Sequence, residues 1–395
     1  MMLTVAEAIS RLSEQAAPVC KVTAASVKHA LGLVIAKDVE ALIDVPPADN
    51  SAMDGYAFCF QDAVDNHFQL PVRQRIPAGS DPKKLPMNAA ARIFTGAEIP
   101  AGADTVALQE QCTEHDGVVQ LDPTSVCGQH IRLRGQDIAA GAKLLAAGTC
   151  LRAPELGVLS SQGMSHTQVY EPLKVAIFST GDELVEPGNI IGPGQIYNSN
   201  RSMLIGLIES LGMQAVDLGT VADTPEATRN ALVAGSQTAD VVISAGGVSV
   251  GEEDHVRQVV AELGSVDFWR VAIKPGKPIA FGRIGNKPFI GLPGNPVSVF
   301  VTFLVLTKPF LLAAQGCSDA LPLVMHAKAS FKRSGESREV YLRGRLRNSI
   351  EGPSVDIHPN QSSGALSSVA WGNVLVRQKR GVDIQINDLI DVLVY

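Results

Sequence analysis

The stretch Lys174-Val-Ala-Ile-Phe-Ser-Thr-Gly-Asp-Glu-Leu184 decides the fold. A short apolar run that breaks on a glycine and two carboxylates reads as a buried strand opening into a polar loop. The unit recurs downstream. Ala215 to Val221 reads as a strand opening into Ala222-Asp223-Thr224, and Asp240 to Ser244 as one opening into Gly246-Gly247-Val248-Ser249-Val250-Gly251. Pro288 to Leu292 leads into Gly291-Leu-Pro-Gly-Asn-Pro-Val-Ser298, and Val266 to Ile273 and Ile279 to Arg283 are further strands. Helical spacing fills the gaps. Ser199 to Leu211 carries Leu204, Leu207, Ile208 and Leu211 and stops at Gly212. Pro225 to Ala234 starts with proline, Asp254 to Leu263 stops at Gly264, and Pro296 to Ala314 is a long apolar helix. Strands alternating with helices predict an open, mostly parallel, doubly wound sheet.

On either side the texture changes. After Gly316, short alternating runs such as Val340-Tyr-Leu-Arg-Gly-Arg-Leu346 and Asn373-Val-Leu-Val-Arg377 are split by turns at Ser334-Gly335, Glu351-Gly352 and Lys379-Arg-Gly381. They predict a small β-barrel or sandwich. The first forty residues show helical spacing (Val5, Ile9, Leu12), and helical spacing returns from Pro154 to Gly163. Between them, from Val45-Pro46-Pro47 to about Arg134, lie prolines, glycines and β-branched runs, which read as a β-rich module inserted into a helical framework. The domains expected are a helical domain over 1–44 and 136–170, a β domain over 45–135, the doubly wound domain over 171–317 and a C-terminal β-barrel over 318–395.

A chain of 395 residues suits several domains. Its net charge of −7 and 5% aromatic content argue against an extended nucleic-acid footprint. The charge is segregated, however. Phe268 to Ser318 holds six basic residues (Arg270, Lys274, Lys277, Arg283, Lys287, Lys308) and no acidic one, and a second basic cluster includes Arg333, Arg338, Arg343, Arg345 and Arg347. The six cysteines form no C-x-x-C pair, and the eight histidines show no metal spacing. The start, Met1 to Arg11, lacks the pattern of a secretory signal, and the apolar core Val297 to Leu306 is ten residues, too short to span a bilayer. A cytoplasmic protein without membrane contact is the expectation.

In an open α/β sheet, ligands bind beyond the carboxyl ends of the strands. Here those ends carry Gly181, Gly246, Gly247, Gly294 and Asn295, whose backbone N–H groups suit a phosphate at a helix start. They also carry Asp182, Glu183, Asp223 and Asp254, oxygen ligands for a hard cation such as Mg²⁺. Lys274-Pro-Gly-Lys-Pro278 adds two lysines on a proline-stiffened turn, a preorganised clamp for an oxyanion or a plain hairpin tip. In the β module, Asp54-Gly55 reads as a tight turn and Phe94-Thr95-Gly96 as a strand end.

These residues carry a family resemblance. The chain resembles the molybdopterin molybdenumtransferases, whose eukaryotic relatives include the E domain of gephyrin. The match rests on Asp49 to Ala57, Ile93 to Ala97 with Gly102-Ala-Asp104 and Gln109-Glu110, Ser179 to Leu184, Gly246 to Gly251 with Asp254, Lys274 to Pro278 and Gly291 to Ser298. The resemblance implies a four-domain homodimer with a molybdopterin-binding third domain and a β-barrel fourth. It implies insertion of molybdate into adenylylated molybdopterin with hydrolytic release of AMP, assisted by Mg²⁺ or Zn²⁺. It also implies transient contact with the molybdopterin adenylyltransferase that supplies the substrate. Catalytic roles fall on Asp54 and Thr95, from the partner subunit, and on Asp223 and Asp254. Substrate contacts fall on Gly181, Asp182, Glu183, Gly246, Gly247, Ser249, Lys274, Lys277, Pro293, Gly294, Asn295, Pro296, Ser298, Arg343 and Ser363, and metal ligation on Asp182, Glu183, Asp223 and Asp254. There are departures: Asn198 stands where the family typically has Asp, and Trp371-Gly372-Asn373 differs from the usual small residues. A molybdopterin adenylyltransferase, which lacks the flanking β module and barrel, and a non-enzymatic cofactor-binding scaffold are the rival readings.

Overall fold

A computed structural model describes residues 2–248, 255–350 and 352–395. They form two compact units, one of 1–37, 147–152 and 166–395 and the other of 38–146 and 153–165.

The first unit is built on the doubly wound sheet. Its strand order is Gln214–Val221, Lys174–Thr180, Val241–Ala245, Lys287–Leu292, Pro278–Ile284, Gly264–Arg270. The first four run parallel and the last two join antiparallel. Lys174–Thr180 and Val241–Ala245 are buried almost throughout, because helices cover both faces of the sheet. Ser199–Glu209 and Pro296–Ala314 pack on one face, with Leu204, Ile208, Val297, Phe303 and Phe310 against Val175, Ile177 and Ile243. Pro225–Thr238 and His255–Leu263 pack on the other, through Leu232, Val256, Val259 and Val260 against Ala176 and Phe178.

Two expectations are corrected here. The helix Pro296–Ala314 forms as expected, with a π turn at Phe303–Thr307, but at 19 residues it is not too short to span a bilayer, as the ten-residue run Val297 to Leu306 suggested. Proline has no N–H to donate to the preceding turn, and the widened π turn accommodates it, so the helix continues. Its composition and length would suffice to cross a membrane, but 78% of its most apolar 18-residue stretch is buried inside the protein, as in the core helix of a folded domain. Second, Val266 to Ile273 is not one strand. Gly264–Arg270 stays in the sheet, while Ile273–Lys274 pairs in parallel with Glu339–Val340 of the C-terminal domain.

That domain is a closed barrel of five strands: Glu339–Ser349, Gly352–Ile357, Val324–Ala329, Leu389–Val394 and Val374–Gln378, which returns to Glu339–Ser349. Ala327, Val340, Leu342, Val355, Val374, Val376 and Val392 fill it. Closure removes the unpaired edges that a small sheet would expose.

Helical structure in the first forty residues is confined to Val5–Gln15 and one 3₁₀ turn, Val27–His29. Thr4 caps the helix in a capping box with Glu7. Val22–Ser26 is instead a strand paired with His166–Tyr170. The run Val22-Thr-Ala-Ala-Ser26 lacks a 3.6-residue apolar stripe, and strand pairing satisfies its backbone without one.

The second unit holds a six-stranded sheet in the order Thr105–Leu108, Gly55–Phe58, Ala90–Ile93, Gln69–Ile76, Val118–Gln120, Thr113–His115. Its two faces bury separate clusters around Phe58, Leu70 and Val119 and around Ile76, Ile93 and Val106. The helix Ala153–Ser161 belongs to this unit.

Candidate functional site

The strand ends of the doubly wound sheet and one end of the barrel line a single cleft of about 920 Å³ in the first unit. That volume lies within the range of small-molecule sites. Four segments predicted from sequence meet there: Thr180, Gly181 and Glu183; Asp223; Gly246 to Val248; and Pro293 to Pro296 with Ser298. Lys274 to Pro278 form another wall, and the barrel adds Arg333, Arg338, Arg343, Gln361, Ser362 and Ser363. Ser249 and Asp254 lie outside the described residues.

The acidic end is built by two neighbouring loops. Thr180 Oγ1 donates to Asp223 Oδ1 at 3.0 Å, and the Asp223 N–H donates to Asp182 Oδ1 at 3.2 Å. Asp182 therefore anchors the Asp223 loop and is not itself a wall residue, whereas Glu183 and Asp223 are. Among the described residues, no three acidic, histidine or cysteine side chains form a metal-ligating group. A hard cation would be held by one or two of these carboxylates and would complete its shell from substrate phosphates, the usual manner of Mg²⁺.

Asn198, the departure from the family pattern, is 1% exposed behind this end. Its amide NH₂ donates to Thr220 Oγ1 at 2.9 Å and to Glu186 Oε1 at 3.5 Å. Its Oδ1 accepts from Ser179 Oγ and caps the helix at the Arg201 N–H. Glu186 and Asp217 share the guanidinium of Arg201. An amide at position 198 can donate to Glu186; a carboxylate there would face it as a like charge. Asn198 is thus part of the support for the strand end.

The cationic end is held from several sides. The Lys274–Pro275 peptide is cis, and Gly276 has φ +111°. A Cβ on Gly276 would lie 2.4 Å from Thr302 Cγ2, so only glycine lets this loop pass the helix. Lys274 Nζ donates to Glu336 Oε2 at 2.6 Å, and Arg338 donates to the Ile273 carbonyl at 3.0 Å. Lys274 and Arg333 together hold the Glu336 carboxyl below the ordinary glutamate range, the hydrogen bond from Lys274 being the larger cause. Arg343 is 1% exposed, yet it reaches the cleft. Its recorded bonds go to Ser368 Oγ at 3.0 Å and to the carbonyls of Ser362 and Asn360, not to a carboxylate. Burial pushes its guanidinium down to about 10, so it stays charged at neutral pH. A buried cation neutralised only by neutral dipoles is a strong site for an anion.

In the second unit, Asp54 Oδ1 accepts from the Thr95 N–H at 2.8 Å and from Thr95 Oγ1 at 2.7 Å. These bonds hold the exposed Asp54 carboxyl below its ordinary value. Asp54-Gly55 is not a turn tip. Gly55 starts a strand, and a Cβ there would lie 1.8 Å from the Ala107 carbonyl oxygen, so close strand approach requires the glycine. Arg92 joins the two loops: its guanidinium donates to the carbonyls of Gly55 and Ile93 at 2.8 and 2.9 Å and to Gln109, and it stacks over Phe94.

Sequence reasoning did not single out Arg92, Arg333, Arg338, Gln361 or Ser362 as site residues. Arg333 and Arg338 fell in the second basic cluster, but a basic cluster does not say which members face a cleft.

A doubly wound domain with acidic and cationic strand ends and a barrel completing the wall defines an α/β protein with a cleft for an anionic ligand. A family model described as the probable molybdopterin binding domain matches residues 176–313. Models of the MoeA N-terminal region (domain I and II) and of the MoeA C-terminal region (domain IV) match residues 3–163 and 327–395. A molybdopterin molybdenumtransferase of Haemophilus influenzae is 41% identical, over 80% of this chain and 78% of its own length. One from Nostoc sp. is 37% identical, over 87% and 82%. A solved molybdopterin biosynthesis MoeA protein from Pyrococcus horikoshii superposes with a TM-score of 0.86 over the whole of both chains at 24% identity, a likeness of fold. The chain belongs to the MoeA family of molybdopterin molybdenumtransferases.

Proposed function

We propose that this protein inserts molybdate into adenylylated molybdopterin, releasing AMP and the molybdenum cofactor. The observation that carries the proposal is one cleft with carboxylates at one end and a buried arginine and two lysines at the other. The substrate needs both ends: an anhydride near the carboxylates and an oxyanion near the cations.

Asp223 and Glu183 would hold Mg²⁺ or Zn²⁺, with Asp182 fixing the Asp223 loop. When bound, the cation neutralises the phosphoanhydride and makes phosphorus more electrophilic. Gly246, Gly247, Gly294 and Asn295 line the wall where a phosphate can approach the backbone, and the start of the Pro296–Ala314 helix favours its charge. Lys274, Lys277, Arg343 and the Ser363 region would hold molybdate oxygens beside the dithiolene sulfurs, which is positioning more than bond making. Asp54 and Thr95 belong to the other compact unit, and we assign them to completing the cleft of a partner subunit in a homodimer. A cytoplasmic location and transfer of substrate from a molybdopterin adenylyltransferase complete the reading.

The test is direct. The purified protein with adenylylated molybdopterin, molybdate and Mg²⁺ should release AMP in step with molybdate uptake. Bound substrate without AMP release would overturn the assignment and leave a cofactor-binding scaffold. ATP consumption with plain molybdopterin would point to adenylyl transfer instead.

A further inference from the structure

Glu336 stands out because it places a carboxylate against the cationic end of an anion cleft. It sits in the turn between the barrel strands Val324–Ala329 and Glu339–Ser349, 62 residues from the lysine that it meets. One of its oxygens accepts from Lys274 Nζ at 2.6 Å, and the other accepts from the Arg333 guanidinium. Both cations line the cleft. Glu336 itself does not, and holds them from the side.

The turn that presents it is fastened. The Gly381 N–H donates to the Glu336 carbonyl at 2.8 Å, and the Gly335 N–H donates to Asp383 Oδ1 at 2.7 Å. Arg333 is fixed by its own N–H to the Ile384 carbonyl and by Nε to Gln378 Oε1 at 3.0 Å. The lysine side is less confined: the Lys274 side chain is 43% exposed, against 26% for Glu336. When the pair separates, the lysine is therefore the member that moves.

We infer that Glu336 is an internal counter-ion that occupies Lys274 and Arg333 until a tetrahedral oxyanion takes them over, and so sets how tightly the cleft binds molybdate. Two carboxylate oxygens shared between an ammonium and a guanidinium use the same donors that two oxygens of an oxyanion would use. While the carboxylate remains, the charge of both cations is largely cancelled. A binding anion must draw Lys274 away from it and bear the nearby negative charge. A residue that merely braced Lys274 in a productive position would have the opposite effect on affinity. The sign of one substitution therefore separates the two roles.

This inference rests on the reading of Lys274 as an oxyanion ligand, and the experiment keeps the two apart. Molybdate binding to the full-length protein is measured by equilibrium dialysis at fixed ionic strength, with tungstate as a second probe. Lys274→Ala should weaken binding of both; if it does not, the reading of the cleft fails, and the inference with it. Glu336→Gln keeps the shape and removes the charge. It should tighten binding roughly fivefold, the effect of removing one partly exposed like charge, and should lower the KM for molybdate. Unchanged or weaker binding in Glu336→Gln, with Lys274→Ala still defective, would overturn the counter-ion role alone. If the glutamine variant does not fold by thermal melting, Glu336→Asp withdraws the carboxylate by one methylene and should also tighten binding; unchanged or weaker binding there would overturn the inference in the same way.

Discussion

The two ends of the cleft neutralise their charge in different ways. At the acidic end, Asp182 and Asp223 accept from a backbone N–H and a hydroxyl, and among the described residues neither of them nor Glu183 forms an ion pair. At the cationic end, Lys274 already has Glu336, and Arg343 is wrapped by carbonyls and a hydroxyl. On the reading proposed above, the acidic end would be completed by a cation that arrives with its ligand. The cationic end is complete until an anion displaces what is there. Opposite charges facing one substrate need not be prepared in the same way.

The largest expected effect breaks the cationic end. Lys274→Ala should lower molybdate-dependent AMP release about 10²–10³-fold, the loss typical of removing one preorganised electrostatic contact. Circular dichroism should be unchanged, and retained turnover would remove the functional contrast between the ends. Next, Asp223→Asn should lower turnover about 100-fold, with partial recovery as Mg²⁺ is raised. A loss insensitive to Mg²⁺ would mean that the acidic end does not act through a cation.

A smaller effect tests the rigidity of the cationic end. Gly276→Ala adds a methyl against Thr302 and should destabilise the protein by about 1–3 kcal/mol in urea titration. The smallest lies in the second unit. Thr95→Val removes the hydroxyl bond to Asp54, so the Asp54 pKa should rise toward its ordinary value, as read by NMR titration. The sign for stability follows. The folded pKa is depressed, so these bonds stabilise the protein above the unfolded pKa, and the gain is lost as pH falls through the folded one. The valine variant should show a weaker acid dependence; an unmoved pKa would mean that the backbone N–H of Thr95 alone sets it.

The alternation from Lys174 to Ala314 was legible because each strand is a short apolar run and each helix carries a 3.6-residue stripe or a terminal glycine or proline. The cleft walls at Gly246, Gly247, Lys274 and Asn295 were legible for the same reason, since strand ends locate them. Other features depend on partners far apart in sequence. Nothing local marks Ile273–Lys274 as a strand of the barrel, or Glu336 as the partner of Lys274. Nor does Leu342-Arg343-Gly344 reveal that its arginine is buried, because its partners, the Ser362 carbonyl and the Ser368 hydroxyl, lie far along the chain. The helix Pro296–Ala314 was legible, but its π turn was not, because such a turn leaves no compositional trace.

The short ladder Ile273–Lys274 with Glu339–Val340 makes the barrel something other than an appendage. The residue that ends the ladder on the sheet side is the lysine of the clamp. A hinge opening between sheet and barrel would therefore have to unzip main-chain bonds at Lys274, a wall residue of the cleft. A fragment ending near Cys317 would keep both lysines and lose their alignment.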